Sequence, residues 1–312
     1  MKIVVLDAKT VGEDADWSGF EQLGEVVRYP YSALDEVPER VKDAEVIIVN
    51  KVLINEQTVG QAKNLKLVCA LATGTNNLDK EYLESRGIIW HNVAGYSTEA
   101  VAQHTFAMLF YLLEKLRYYD DYVKEGDYAK SPLFTHFANG FAELNGKIWG
   151  IIGLGTIGRR VAEIAKVFGL QVIYYSASGA APQEGFEQVD FDTLLTTSDI
   201  VSIHAPLNEY TENLMDKDAF TKMKKSAIFL NVGRGPIVVE QDLYEALRDG
   251  EIAAAGLDVL CKEPIAEDNP LLQIKDSRKL LITPHIAWAS VEARNRLVQM
   301  VLEQVQEYAK TR

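Results

Sequence analysis

The feature that most constrains the fold is a short glycine-rich segment that joins a strand to a helix. Residues 153–158 read Gly-Leu-Gly-Thr-Ile-Gly; they follow the apolar run 148–152 and precede the helix-like stretch 159–168. In this spacing the first glycine permits a tight turn, the second lets backbone approach a pyrophosphate, and the third lets helix and strand pack closely. The free amides at the helix N-terminus then meet phosphate oxygens. A further strand at 171–175 completes a βαβ unit, so the segment predicts a dinucleotide site rather than a plain turn.

Length and composition indicate an ordinary globular protein with two domains. The chain has 312 residues, of which 47% are hydrophobic and 25% charged, and this length allows two separate cores. The net charge of −13, with no compensating basic tract, excludes nucleic acid as an expected partner. No apolar run is long enough to cross a bilayer, and residues 1–7 are typical of a buried strand rather than a signal peptide. Cys69 and Cys261 fit reduced thiols, so we expect a cytoplasmic location and no membrane partner.

Short apolar runs alternate with helix-like stretches along most of the chain, which predicts parallel α/β sheets. The first series of predicted strands is 2–6, 26–29, 46–50, 67–71 and 88–92. The second series is 148–152, 171–175, 200–204, 227–231, 254–258 and 280–283. We therefore expect an α/β protein with two Rossmann-like or flavodoxin-like parallel-sheet domains separated by a cleft.

The boundary between the two series coincides with a predicted long helix. After residues 95–97 a helix is expected from Thr98 to about Lys124, opened by a Ser/Thr cap. The last predicted helix, 290–308, has no sheet of its own to cover, so we expect it to return to the first domain. The predicted domains are therefore a discontinuous substrate domain, 1–97 plus 287–312, and a dinucleotide-binding domain, 98–286.

Three polar residues close predicted strands of the second domain, where ligands bind in open α/β sheets. Arg234 lies between two glycines, and its planar guanidinium suits bidentate binding of a carboxylate. His285 suits acid–base chemistry, and Glu263 is a carboxylate able to orient its imidazole. Each residue alone also has a plainer interpretation: Arg234 as a surface arginine, His285 as a packed or helix-capping histidine, and Glu263 as a solvated loop acid. Together with a dinucleotide fold they favour hydride transfer to or from a 2-keto or 2-hydroxy acid.

At several blocks the sequence resembles the D-isomer-specific 2-hydroxyacid dehydrogenase family, in particular its glycerate dehydrogenase (hydroxypyruvate reductase) branch. The resemblance covers essentially the whole chain. The blocks that carry it are residues 72–77, Ala-Thr-Gly-Thr-Asn-Asn; residues 95–105, Gly-Tyr-Ser-Thr-Glu-Ala-Val-Ala-Gln-His-Thr; the glycine segment; residues 231–235, Asn-Val-Gly-Arg-Gly; and residues 283–290, Thr-Pro-His-Ile-Ala-Trp-Ala-Ser.

The resemblance implies a role for each candidate residue. Arg234 orients the substrate, Glu263 partners the imidazole, His285 donates the proton in ketoacid reduction, and Asp258 lies near the nicotinamide carboxamide. The other residues expected at the dinucleotide are Gly153, Gly155, Thr156, Ile157, Gly158, Ser176, His204, Ala205, Pro206, Val232 and Gly233. Those expected at the substrate are Lys51, Thr73, Gly74, Tyr96 and Trp288, although Lys51 also reads as a solvated charge, and Tyr96 and Trp288 as packing aromatics.

The sequence departs from the family pattern at the end of the second strand of the dinucleotide domain. NAD-preferring members usually place an Asp there for the ribose hydroxyls, whereas this chain has Ser176. No Arg or Lys stands in residues 174–179 to favour NADP, so the choice between NAD and NADP stays open.

The resulting hypothesis is an NAD(P)-dependent oxidoreductase that reduces a small 2-ketoacid, with hydroxypyruvate and glyoxylate as the first candidates. The alternative is a dinucleotide-sensing regulatory protein of the corepressor type, which shares this fold. No Cys, His and Asp spacing is typical of a metal site, so a metal-free mechanism is expected. The predicted helix 98–124 is apolar on several faces, which favours a homodimer through this region.

Overall fold

The computed structural model describes residues 1–179, 181 and 183–311. The chain forms two compact units, one made of Met1–Ser97 and the segment from Trp288 onward, the other of Thr98–Ala287. Each unit contains one parallel sheet. The predicted fold class, two parallel-sheet α/β domains, is confirmed.

The first unit has a five-stranded sheet in the order β2-β1-β3-β4-β5, with parallel pairing throughout. Its strands are β1 (Lys2–Val5), β2 (Glu25–Arg28), β3 (Val46–Val49), β4 (Leu67–Ala70) and β5 (Ile89–His91). Its helices are α1 (Ser18–Glu21), α2 (Val37–Val41), α3 (Glu56–Val59), α4 (Lys80–Ser85) and, from the end of the chain, α12 (Val291–Lys310). All residues of β3 and β4 are buried, as expected for central strands covered on both faces. The order is that of flavodoxin-like sheets.

Helix α12 packs on the sheet of the first unit. Gln304 Nε2 donates to Asn92 O at 2.8 Å, and Tyr308 Oη donates to Glu45 Oε1 at 3.0 Å. The helix begins where Ser290 Oγ accepts a hydrogen bond from Ala293 N, an N-terminal cap. The C-terminal residues therefore belong to the same core as the N-terminal strands.

The second unit has a seven-stranded parallel sheet in the order β12-β11-β10-β9-β6-β7-β8. Its strands are β6 (Ile148–Ile152), β7 (Gln171–Tyr175), β8 (Glu187–Gln188), β9 (Ile200–Ile203), β10 (Ile228–Asn231), β11 (Ala254–Leu257) and β12 (Leu280–Ile282). Its helices are α5 (Thr98–Leu113), α6 (Leu116–Lys124), α7 (Asp127–Lys130), α8 (Thr156–Val167), α9 (Phe191–Thr197), α10 (Lys217–Lys222) and α11 (Glu240–Asp249). This is a doubly wound order whose direction reverses between β6 and β9, the place where such sheets bind ligands.

Two details of the second unit differ from the sequence expectations. Strand β8 was not predicted, because a two-residue strand is too short to show a pattern. The single helix expected from Thr98 to Lys124 is wrong: α5 ends before Lys115, which has a φ of 53°, and α6 begins after it. Helix α5 has eight buried residues and α6 has none, so the chain leaves the core at this break.

Candidate active site

The glycine turn lies between β6 and α8, as its spacing predicts. Gly153 has a φ of +90°, and a Cβ on it would lie 2.8 Å from the backbone of Ala205. A Cβ on Gly158 would lie 2.2 Å from Gly153 O. Both positions therefore require glycine for conformation or for close packing of strand and helix.

Gly155 differs from these two glycines, because a Cβ there would meet nothing within 4 Å. It is exposed and precedes α8 without providing a side-chain cap, so the first-turn amides of Thr156 and Ile157 have no partner within the helix. A cavity of about 490 Å³ opens here. It is lined by Thr98, Leu154, Gly155, Thr156, Arg159, Arg160, Glu163 and Gln183. Open space beside free helix amides fits a pyrophosphate.

The end of β9 lies beside this turn. His204 N donates to Ile152 O at 2.9 Å, and Ala205 and Pro206 follow. Burial lowers the pKa of His204 to about 3, so its imidazole is neutral near pH 7. Its Nε2 is 3.0 Å from Ser202 Oγ, which accepts a hydrogen bond from Trp149 Nε1. A buried neutral imidazole is a poor proton donor, which agrees with a place beside the cofactor rather than a catalytic role.

Arg234 lies just beyond β10, in a loop that Asn231 holds rigidly. The buried Asn231 amide accepts from Gly233 N at 3.0 Å and donates to Arg234 O at 2.9 Å. The Arg234 guanidinium donates to Gly233 O at 2.7 Å. No carboxylate among the described residues lies within ion-pair distance of it. Val232 precedes these residues and is half-buried against the core.

The loop that carries Arg234 contacts the loop that carries Glu263. A Cβ on Gly235 would lie 2.0 Å from the carbonyl of Leu260, so the two backbones touch at that point. Glu263 Oε1 accepts from Leu260 N at 3.0 Å, which fixes the carboxylate in its own loop. The ends of β10 and β11 therefore bring Arg234 and Glu263 to one edge of the sheet.

Glu263 and His285 form the hydrogen-bonded pair that the sequence predicts. Glu263 Oε2 lies 2.7 Å from His285 Nδ1, and both side chains are partly exposed, by 36% and 25% respectively. With Nδ1 held by a carboxylate, the imidazole has one ring nitrogen, Nε2, left for a reacting group. His285 has a φ of 55°, an unusual conformation for a residue with a Cβ.

Asp258 holds the backbone around His285. Its carboxylate is buried and accepts from Thr283 Oγ1 at 2.6 Å and from the backbone amides of Ile286 and Ala287 at 2.9 Å each. The His285 amide donates to the Asp258 carbonyl at 2.8 Å. The observed contacts of Asp258 thus secure the loop, a role that sequence reasoning missed because it depends on backbone donors.

His104 also contributes to this anchoring. Its Nε2 lies 3.0 Å from Thr283 Oγ1 and 3.6 Å from Asp258 Oδ1. Glu240 is a second residue without a sequence signal: its carboxylate accepts from Cys261 N at 2.8 Å and from Asn269 Nδ2 at 2.7 Å. Both residues support the loops that position Glu263 and His285.

The residues expected at the substrate all lie in the first unit: four follow the carboxyl ends of its strands, and Trp288 precedes α12. Lys51 follows β3, and its amide donates to the buried Asp7 carboxylate at 2.6 Å. Burial raises the pKa of Asp7, and the hydrogen bonds from the backbone at 50–52 oppose that rise. Thr73 follows β4, with its hydroxyl bonded to Val93 O at 2.8 Å, and Gly74 comes next. Tyr96 is buried and meets Trp288 edge to face, with centroids 6.2 Å apart, so both have a packing contact in addition to the proposed role.

The described part of the chain contains no group of three His, Cys, Asp or Glu side chains arranged to hold a metal ion. None of its helices is long and apolar enough to cross a membrane.

The parallel sheet has an open glycine turn at its switch point and an imidazole–carboxylate pair at its carboxyl edge. This combination is typical of a dinucleotide-dependent oxidoreductase. The family model described as the NAD binding domain of D-isomer specific 2-hydroxyacid dehydrogenases matches residues 106–287. The chain belongs to the D-isomer specific 2-hydroxyacid dehydrogenase family, and the predicted family is confirmed.

The similar proteins cover the whole chain. A hydroxypyruvate reductase of Blautia hydrogenotrophica is 39% identical over 316 residues, covering 99% of this chain and 97% of that protein. A glycerate dehydrogenase of Methylorubrum extorquens is 35% identical over 308 residues, covering 98% and 96%. The NADPH-dependent glyoxylate/hydroxypyruvate reductase of Sinorhizobium meliloti, solved with NADP and malonate, superposes with a TM-score of 0.83 at 26% identity and covers 98% of this chain and 93% of that chain. The comparisons thus support a dehydrogenase and give no support to the corepressor alternative.

Proposed function

We propose that this protein reduces a small 2-ketoacid to the corresponding D-2-hydroxyacid at the expense of NADH or NADPH. Hydroxypyruvate and glyoxylate, which would give D-glycerate and glycolate, are the first candidates, because the similar proteins are named for them. The observation that carries the proposal is the 2.7 Å contact between His285 Nδ1 and Glu263 Oε2 on the carboxyl edge of a dinucleotide-binding sheet.

The proposed chemistry divides between the cofactor and three side chains. The reduced nicotinamide, when bound, supplies a hydride to the ketone carbon. Arg234 binds the substrate carboxylate and polarises the ketone oxygen. The proton on His285 Nε2 passes to that oxygen as it becomes a hydroxyl, and solvent returns a proton to the imidazole. Glu263 keeps the imidazole oriented through its contact with Nδ1.

The other assignments belong to the same proposal. Gly155 and the first-turn amides of α8 would hold the pyrophosphate, and Gly153 and Gly158 shape the turn that presents them. Residues 204–206, Val232, Gly233 and Asp258 line the rest of the dinucleotide site, and Ser176 faces the adenosine ribose. The substrate contacts are Lys51, Thr73, Gly74, Tyr96 and Trp288. The first unit is then the substrate domain and the second the dinucleotide domain. The cleft between them, and a reaction without a metal, remain predictions.

The test is a panel of 2-ketoacids, each mixed with the purified protein and either NADH or NADPH. We expect the reduced-nicotinamide absorbance to fall with hydroxypyruvate or glyoxylate, and the product to be the D-isomer where it is chiral. Binding of a reduced cofactor without turnover of any ketoacid would contradict the proposal and would favour a sensor.

We further propose a homodimer. Apolar side chains concentrate on the surface of one segment after α7: Leu133, Phe134, Phe137 and Phe141 are 62%, 91%, 84% and 58% exposed. Neighbouring exposed aromatics of this kind mark a surface that another protein covers. The apolar residues of α5 lie largely in the core of its own unit, so this segment is a better candidate interface than the helix that the sequence suggested. Light scattering on the protein and on a Phe134→Ser, Phe137→Ser variant tests it; an unchanged mass would contradict the assignment.

A cytoplasmic location, and the absence of nucleic acid among the partners, complete the proposal. Cys69 and Cys261 are both free thiols, as in a reducing compartment. Partial burial, with the nearby Glu240 carboxylate, raises the pKa of Cys261 to about 12, so this thiol is protonated near pH 7. The net charge of −13 repels a phosphate backbone.

A further inference from the structure

The end of β7 lacks the carboxylate that selects NAD, and the structure brings the Arg159 guanidinium against the loop that follows β7, which the sequence does not reveal. Ser176 stands where an acid usually binds the ribose hydroxyls, and its hydroxyl is 3.4 Å from that of Ser178. Two hydroxyl donors without a carboxylate tolerate a 2′-phosphate. They do not attract one, so selection of NADP requires a positive group from elsewhere in the fold.

Arg159, in the first turns of α8, extends toward this region. Its guanidinium donates to Gln183 Oε1 and lies 5.4 Å from the centroid of the Phe186 ring. Gln183 in turn donates from Nε2 to Leu154 O at 2.8 Å, within the glycine turn. Gly153, the residue before Leu154, donates to Tyr175 O at 2.9 Å. Hydrogen bonds through Gln183 therefore connect Arg159 to the glycine turn, which itself hydrogen-bonds to Tyr175, the residue before Ser176.

The charge of Arg159 is not neutralised within the described chain. No carboxylate there lies within 4 Å of its guanidinium, and Glu184 and Glu187, the acids nearest to Phe186 in sequence, form no ion pair with it. The adjacent Arg160 contrasts with it, because it pairs with Glu99 at 2.9 Å and with Glu163 at 3.3 Å. Both arginines line the cavity at Gly155, and of its described lining residues Arg159 is the one whose charge has no ion-pair partner.

We propose that Arg159 binds the 2′-phosphate of NADP(H), assisted by the hydroxyls of Ser176 and Ser178, and that the protein prefers NADP(H) to NAD(H). The inference rests on the proposed function and names its cofactor. An arginine on a phosphate forms charge-assisted hydrogen bonds, and its partner in the free protein is a neutral amide that is easily displaced. Gln183 keeps its bond to Leu154 O when Arg159 turns to the phosphate.

The test compares two nucleotides that differ only in the 2′-phosphate, adenosine 2′,5′-bisphosphate and adenosine 5′-monophosphate, by calorimetry. The wild-type protein should bind the bisphosphate about tenfold or more tightly than the monophosphate, which is about 1.4 kcal/mol. Arg159→Gln should remove that preference, because it weakens binding of the bisphosphate much more than binding of the monophosphate. Arg160→Gln, the matched control, removes a charge from the same helix and should keep the preference. Added salt should weaken binding of both nucleotides and narrow the preference of the wild-type protein for the bisphosphate, because the bisphosphate carries the larger charge.

Gln183→Glu provides an independent second variant. It places a carboxylate against Arg159 and neutralises its charge, so it should abolish the preference for the bisphosphate. Equal binding of both nucleotides by the wild-type protein, or an equal loss in the Arg159 and Arg160 variants, would overturn the inference while the proposed reduction stands. If neither nucleotide nor either whole cofactor binds, the proposed function itself fails, and the inference with it.

Discussion

The contact between Glu263 and His285 gives the most specific mutational prediction. Glu263→Gln preserves the size of the side chain and removes its charge, so the imidazole loses a carboxylate acceptor 2.7 Å away. A hydrogen bond to a charged group contributes about 1.5–3 kcal/mol. Both side chains are partly exposed, so solvent screening places the value at the lower end. We therefore expect kcat to fall about tenfold, since 1.4 kcal/mol corresponds to one decade.

The assay is steady-state reduction of hydroxypyruvate with saturating reduced cofactor, followed by nicotinamide absorbance. Glu267→Gln is the matched control, because Glu267 is an exposed acid of the same loop, and it should leave kcat unchanged. A double variant gives the sharper check. His285→Ala alone should cost about 10²- to 10⁴-fold in kcat. Adding Glu263→Gln to it should cost nothing more, because the carboxylate acts through the imidazole. Independent, multiplying losses would refute the reasoning.

The remaining predictions concern Arg234, the glycine turn and His204. Arg234→Ala should raise the KM for the ketoacid and also lower kcat, because the residue both binds the substrate carboxylate and polarises the ketone. A change in KM alone would contradict the second of these roles. Gly155→Ala should fold normally and bind the dinucleotide more weakly, whereas Gly158→Ala should unfold about 1–3 kcal/mol more easily, because its Cβ meets Gly153 O; calorimetric binding and thermal unfolding separate the two. The pKa of His204 is lowered to about 3 in the folded state, so the unfolded chain binds one proton more between that value and about 6.5. The free energy of unfolding should then fall with falling pH across this window, by up to about 1.4 kcal/mol per pH unit, and His204→Gln should flatten that dependence in urea titrations.

Much of the fold was predictable from sequence because parallel sheets leave a strong pattern. Buried central strands such as β3 and β4 are continuous apolar runs, and the glycine turn has a spacing dictated by backbone geometry. The break at Lys115 was not predictable, because Leu, Glu and Lys all suit a helix and only the loss of core contacts ends α5 there. Strand β8 was not predictable either, because two residues are too few to show a strand pattern.

The site residues that act through their own side-chain chemistry were predictable from the sequence. Those that act by binding backbone groups were not. Histidine and arginine at strand ends are visible in a sequence, and so is a glutamate in the loop between them. The buried Asn231 and Asp258, which fix the loops, act through backbone amides and carbonyls that no sequence pattern displays. Arg159 was also not predictable: residues 174–179 contain no cation, and the guanidinium that reaches the loop after β7 comes from helix α8.

The most direct test of the central claim measures cofactor binding and turnover in the same His285→Ala protein. If His285 donates the proton on a dinucleotide site built by other residues, the Kd for reduced cofactor should match that of the wild-type protein, while ketoacid turnover falls at least about 100-fold. Turnover that survives the substitution, or a loss of turnover that simply follows lost cofactor binding, would contradict the account.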